Sequence, residues 1–319
     1  MRALFTGITR FLRAVVDRLA PYLWPLAIAN LAANIGIVVT GGAVRLTGSG
    51  LGCPTWPRCT DESYVPQGEL GIHGVIEFGN RMLTFALTAV AIACFLAALG
   101  ARHRRARRLS LVIGLGIPLQ AVIGGITVLT ELNPWIVAGH FLLSMAMVMV
   151  CVALLDELRS PERGAAPRVP RLLAWATLVA GWVVLYLGTV VTGAGPHAGD
   201  AEAPRNGLTP STVSHLHAYA VYALVALTVV LLVVSLRGGH RWLARVTSLV
   251  LLIELLQGVL GWVQYALDLP VVLVALHMLG AALLAAGLAR IALAVMPHRA
   301  ANEPRPGGEP QPHAATRLP

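Results

Sequence analysis

Leu119-Gln120-Ala121-Val122-Ile123-Gly124-Gly125 recurs 137 residues later as Leu256-Gln257-Gly258-Val259-Leu260-Gly261-Trp262. The same shift carries His140 onto His277, so each histidine follows its glutamine by 20 residues. A second echo joins Val38-Val39-Thr40-Gly41-Gly42 to Val190-Val191-Thr192-Gly193-Ala194 at a shift of 152, the first connecting loop being about 15 residues longer. Self-similarity at these offsets predicts a chain made of two halves.

Both echoes lie in apolar surroundings. Hydrophobic residues occupy 56% of the 319 positions and charged residues 12%, which makes lipid the expected solvent. Unpaired backbone amides are too costly in hydrocarbon for anything but helices or closed barrels, and a spanning helix takes roughly 20 apolar residues. Apolar runs of that length predict eight spans, at about residues 22–44, 72–100, 109–130, 136–156, 172–193, 213–236, 246–267 and 271–294. Two sets of four start on the same membrane side, so an axis along the membrane normal relates them. The expected fold is therefore an all-α polytopic membrane protein, its eight transmembrane helices arranged as two parallel-repeat four-helix bundles. The N-terminal half covers residues 1–160 and the C-terminal half 161–296, and the Pro- and Gly-rich stretch 297–319 is expected to be a disordered cytoplasmic tail. The first span exceeds a signal peptide in length and lacks a cleavage pattern, so it is expected to remain as an anchor.

All 24 basic residues are arginine, and their distribution predicts orientation. Arg102, Arg104, Arg105, Arg107 and Arg108 follow the second span, Arg159, Arg163, Arg168 and Arg171 the fourth, and Arg237, Arg241 and Arg245 the sixth. These connections are expected in the cytoplasm with both termini, in a multi-pass cell-membrane protein. Loops 45–71 and 194–212, holding only Arg45, Arg58 and Arg205, are expected outside. The net charge of +9 then reflects topology rather than nucleic-acid binding, for which no motif is present.

Ionisable groups inside a membrane default to functional candidates. Here they are His73, Glu77 and Arg81 in the second span, His140 in the fourth, His215 and His217 in the sixth, Glu254 in the seventh and His277 in the eighth. Helical rise places His140, His217 and His277 in one layer, roughly 6 to 9 Å inside the outer boundary. Facing imidazoles at one level suit bis-histidine haem iron, and His217 with His277 is the expected pair. The alternative is that each is an interior polar group bonded to a neighbouring helix. His215 points about 200° away from His217 and is not expected to share its iron.

The first half differs, because Asn80 stands where the repeat places His217. His73, Glu77 and Asn80 share one helical face, with Arg81 beside it, and that face is expected to look at His140. Glu77 either exchanges protons there or forms an ion pair with Arg81 that closes the bundle. Cys53 and Cys59, in an outer loop too poor in ligands for zinc, are expected to pair as a disulfide, whereas Cys94 and Cys151 read as small apolar residues inside spans.

Over about residues 22–294 the chain resembles the haem A synthase family. The residues that carry the resemblance are Gly42-Ala43-Val44-Arg45-Leu46-Thr47-Gly48-Ser49-Gly50-Leu51-Gly52-Cys53-Pro54, then Trp56-Pro57 and Cys59, Ile76-Glu77-Phe78-Gly79-Asn80-Arg81, and the helical histidines. The resemblance implies an enzyme that oxidises the position-8 methyl of haem O to a formyl, making haem A for terminal oxidases. It also implies haem b as cofactor on His217 and His277, a substrate-haem site with His140, Asn80, Arg81 and His73, and an essential acidic residue at Glu77. Expected partners are haem O, membrane lipid, haem O synthase and an electron donor. Many members carry histidine at the Asn80 position, so either His140 holds the substrate iron alone or His73 substitutes with the haem displaced. His197 stands where some members have a second cysteine pair. The competing functions are a bis-histidine cytochrome b that modifies no haem, and a transporter, for which no Gly/Pro-interrupted pair of spans speaks.

Overall fold

The computed structural model describes residues 2–298. Its order is α1 (Arg2–Leu19), α2 (Leu23–Leu46), α3 (Gly71–Gly100), α4 (Arg104–Leu129), α5 (Pro134–Arg159), α6 (Arg168–Ala194), α7 (Pro210–Arg237), α8 (Arg241–Ala266) and α9 (Val271–Ala294). Among the described residues, eight segments are long and apolar enough to cross a bilayer, each containing one of α2 to α9. They match the predicted spans, with ends extended by a few residues where caps decide: Pro134 opens α5 while the Asn133 side chain accepts from the Trp135 N–H at 3.0 Å.

Helices α2 to α5 pack in a ring, each against the next and α5 back on α2, and α6 to α9 repeat the arrangement. This puts α3 diagonal to α5 and α7 diagonal to α9. Where the rings meet, α5 packs on α9, α2 on α9 and α5 on α6, as a two-fold axis between α5 and α9 requires. Ala282 and Ala285 of α9, buried with Val38, Met145 and Leu185, let these backbones approach. The repeat reaches the backbone itself. Glu131 and Leu132 before α5, and Asp268 and Leu269 before α9, all take positive φ (53° to 60°). The Leu132 N–H donates to the Thr127 carbonyl and the Leu269 N–H to the Gln264 carbonyl, again 137 residues apart. Left-handed conformation is uncommon for residues other than glycine, so its recurrence in two consecutive residues of each connector marks a duplication rather than chance.

Ion pairs tie the halves together at the arginine-rich face. The buried Asp156 of α5 accepts from Arg163 at 2.8 Å and from Arg290 of α9, and Arg290 also reaches Ser160 and lies over the Trp242 ring. His298 is 6% exposed and pairs backbone to backbone with Arg163, so the expected disordered tail does not begin at 297; its remainder lies outside the described residues. Asp156→Ala strands two guanidinium groups and is expected to cost about 3 kcal/mol, read as a lower unfolding midpoint in detergent.

Two features were not expected from sequence. Arg10, Arg13 and Arg18 belong to a helix, α1, that packs against α3 after a turn at Ala20–Tyr22. Contact is close because Gly100 leaves room for the Val16 carbonyl. At the opposite face, Arg45 reaches across to the second half, donating to the carbonyls of His197 at 2.5 Å and Thr192 at 2.9 Å.

Candidate functional site

In the second half, the diagonal positions of α7 and α9 carry His217 and His277. The Cε1 of His217 lies 3.3 Å from where a Cβ on Gly188 of α6 would stand, and Cε1 of His277 lies 3.3 Å from the same point on Gly261 of α8. Each imidazole therefore lies against a glycine of the neighbouring helix, in space that a larger residue there would crowd. Both Nδ1 atoms are buried without a hydrogen bond, although the His217 ring runs close to the Val184 carbonyl. A buried ring nitrogen left unpaired costs about 1–3 kcal/mol, so packing alone does not account for the arrangement. His215, by contrast, is exposed and meets the Tyr265 ring edge-on at 6.5 Å.

The first half reproduces one side of this arrangement. Cε1 of His140 lies 3.3 Å from the Cβ position on Gly124 of α4, and its Nδ1 is likewise unpaired. Gln120 fixes that stretch of α5, donating to the His140 carbonyl at 3.3 Å and to Ser144 Oγ at 2.7 Å. Its repeat partner Gln257 lies instead on Gly280, since Ala281 replaces Ser144 in the second half.

The helical face of His73, Glu77 and Asn80 is divided among different tasks. Glu77, 6% exposed, accepts from the Cys53 N–H at 2.6 Å through Oε2 and from Arg81 at 2.5 Å through Oε1. Arg81 continues to the carbonyls of Cys53, Thr55 and Arg58 at 3.0 to 3.2 Å. The ion pair weighed as the alternative is thus present, and it does more than close the bundle, because it holds the whole 53–58 segment. His73 is exposed and its Nδ1 bonds Ser49 Oγ at 2.9 Å. Asn80 Oδ1 accepts from the Thr40 hydroxyl at 2.8 Å.

The loop held this way is a lid on the first half. Cys53 and Cys59 form a disulfide and are both fully buried, while Cys94 and Cys151 stay free and buried within helices. Trp56 presses its indole onto α4 at Gly125, where any side chain would collide with it. Gly52 brings the loop backbone against the His73 carbonyl at the start of α3. His197, without an expected role, bonds the Leu269 carbonyl at 2.9 Å and so secures the second-half loop to the α8–α9 connector. Buried Glu254 accepts from Thr228 at 2.9 Å. Sequence reasoning overlooked Gly188 and its counterpart Gly36, although the 152-residue shift that aligns α2 with α6 relates them.

These features define a duplicated helical membrane protein whose two bundles enclose histidines set against glycines at matched positions. The chain belongs to the COX15-CtaA family of cytochrome oxidase assembly proteins, whose family model matches residues 25–73 and 69–253. A heme A synthase of Bradyrhizobium sp. (strain ORS 278) is 29% identical, the match covering 82% of this chain and 87% of that protein. One from Sinorhizobium fredii is 28% identical over 79% and 83%. One from Geobacillus thermodenitrificans is 32% identical over 40% and 41%.

Proposed function

We propose that the protein is a haem A synthase, an integral enzyme of the cell membrane that oxidises the position-8 methyl of haem O to a formyl group. The carrying observation is the set of three imidazoles, each set against a glycine, with the buried Nδ1 of His140 and His277 unpaired, in a chain of this family. A haem fits these residues: the glycines leave room beside the rings, and the second half offers two such rings from diagonal helices. His217 and His277 would hold haem b, and His140 the substrate haem. Bound there, haem iron supplies one-electron transfer in the second half and oxygen chemistry in the first.

The chain's own contribution is positioning and exclusion of water. Gln120 and Ser144 fix the α5 backbone at His140, and Trp56 and the disulfide-closed loop cover that half on the cysteine-loop face. Glu77, with both oxygens engaged, acts as a positioning residue for that cover, through Arg81. The arginine distribution supports cytoplasmic termini, with this loop outside. Both halves binding haem without modifying it, as in an electron carrier, leaves the disulfide and the Glu77–Arg81 anchor of the first-half loop, which the second half lacks, unexplained.

Purified protein in lipid, given haem O, a reductant and oxygen, is expected to yield haem A, identified by mass. Haem O recovered unchanged from a sample with both haem sites filled would overturn the assignment.

A further inference from the structure

We propose that Asn80 leaves the first-half haem with a single protein ligand, so that the face opposite His140 is open to a diatomic molecule such as oxygen. The inference rests on the assignment of a substrate haem to His140 and adds what stands across from it.

The two halves serve as controls for one another. Shifts of 137 and 152 residues place Asn80 and Gly36 where the second half has His217 and Gly188. In the second half the imidazole lies against its glycine; in the first, nothing approaches within 4 Å of the Cβ position on Gly36. The small residue is kept while the ring it accommodates is absent. Asn80 is turned aside, its Oδ1 engaged by Thr40 and its Nδ2 lying 3.8 Å from the Cβ position on Gly41. An amide nitrogen donates hydrogen bonds and offers iron no lone pair, and the amide oxygen is directed at the Thr40 hydroxyl of α2.

No other side chain on these helices replaces the missing ligand. His73 lies seven residues before Asn80, about 10 Å further along α3, exposed and bonded to Ser49. Both Glu77 oxygens are occupied, Arg81 is a cation directed at loop carbonyls, and Met82 is 40% exposed. Neither α2 nor α4 contains histidine, cysteine or methionine. The half with the open position is also the one beneath the Cys53–Cys59 loop, with Trp56 wedged on Gly125. Steric access at the distal face decides between ligand binding and electron transfer. One duplicated scaffold is thereby divided: a site with both axial positions filled for electrons, and a covered site with one position free.

The test is carbon monoxide binding to the full-length protein, purified in detergent and loaded with haem in both halves. After reduction by dithionite, one of the two haems is expected to bind carbon monoxide, and the same haem is expected to be high-spin when oxidised. Asn80→His restores the second-half pattern and is expected to abolish carbon monoxide binding and convert that signal to low-spin. Wild type that holds two haems, both low-spin and inert to carbon monoxide, overturns the proposal, whether or not the histidine variant folds. Undiminished binding in an Asn80→His sample with full haem content also overturns it. A His140→Ala protein that retains both haems refutes the site assignment instead.

Discussion

His277→Ala is expected to empty the second-half haem site and to lower haem A formation by about two orders of magnitude or more, since it removes one of the two protein ligands on which that site is built. Removing the ring takes away a group that has no structural bond to lose at Nδ1, so the helix itself should survive. Haem per protein, read from the Soret band and the pyridine haemochrome, separates loss of haem from loss of fold. Gly261→Ala grades the effect: its new Cβ would stand 3.3 Å from Cε1 of His277, forcing the ring to give by a few tenths of an ångström. A displaced Soret maximum with haem retained is expected there. His215→Ala, altering an exposed ring two residues from His217, should change neither. Full haem content in His277→Ala would remove the histidine pair from the mechanism.

Glu77→Ala is expected to reduce activity about a hundredfold by releasing the lid. It strands the Arg81 guanidinium and the Cys53 N–H together, and breaking a partly buried ion pair at about 2–3 kcal/mol corresponds to that factor. Arg81→Leu should act alike, since it leaves the buried Glu77 carboxylate without its cation, holding only the Cys53 N–H. Glu77→Gln keeps an acceptor for Cys53 and should lose only about tenfold. Limited proteolysis between residues 53 and 70 reports the lid directly and is expected to follow activity across the three variants. Equal losses in Gln and Ala variants with the loop still protected would instead assign the carboxylate to proton transfer.

Much of the site was readable before any contact was known. The histidines stood out because a titratable group in a span is expensive, and helical geometry separated His217, in one layer with His140 and His277, from His215, which points about 200° away. The division of labour on α3 was not readable. Spacing put His73, Glu77 and Asn80 on one face, yet His73 turned to Ser49, Glu77 to the cysteine loop and Asn80 to Thr40. Those partners lie 24 to 40 residues away in sequence, in segments with no periodic relation to α3.

By itself the sequence determined the eight spans, the duplication and the asymmetry at Asn80. Apolarity, periodicity and residue identity are properties of the chain, and a bilayer admits few other structures for such runs. Only the tertiary structure decided that each histidine lies against a glycine, that Arg45 and Asp156 lock the halves at opposite faces, that Glu77 holds a lid, and that α1 packs beside α3. These depend on how far each helix is rotated and raised against its neighbours. In lipid that is set by close contact of small residues and by polar groups seeking partners, neither of which hydropathy encodes.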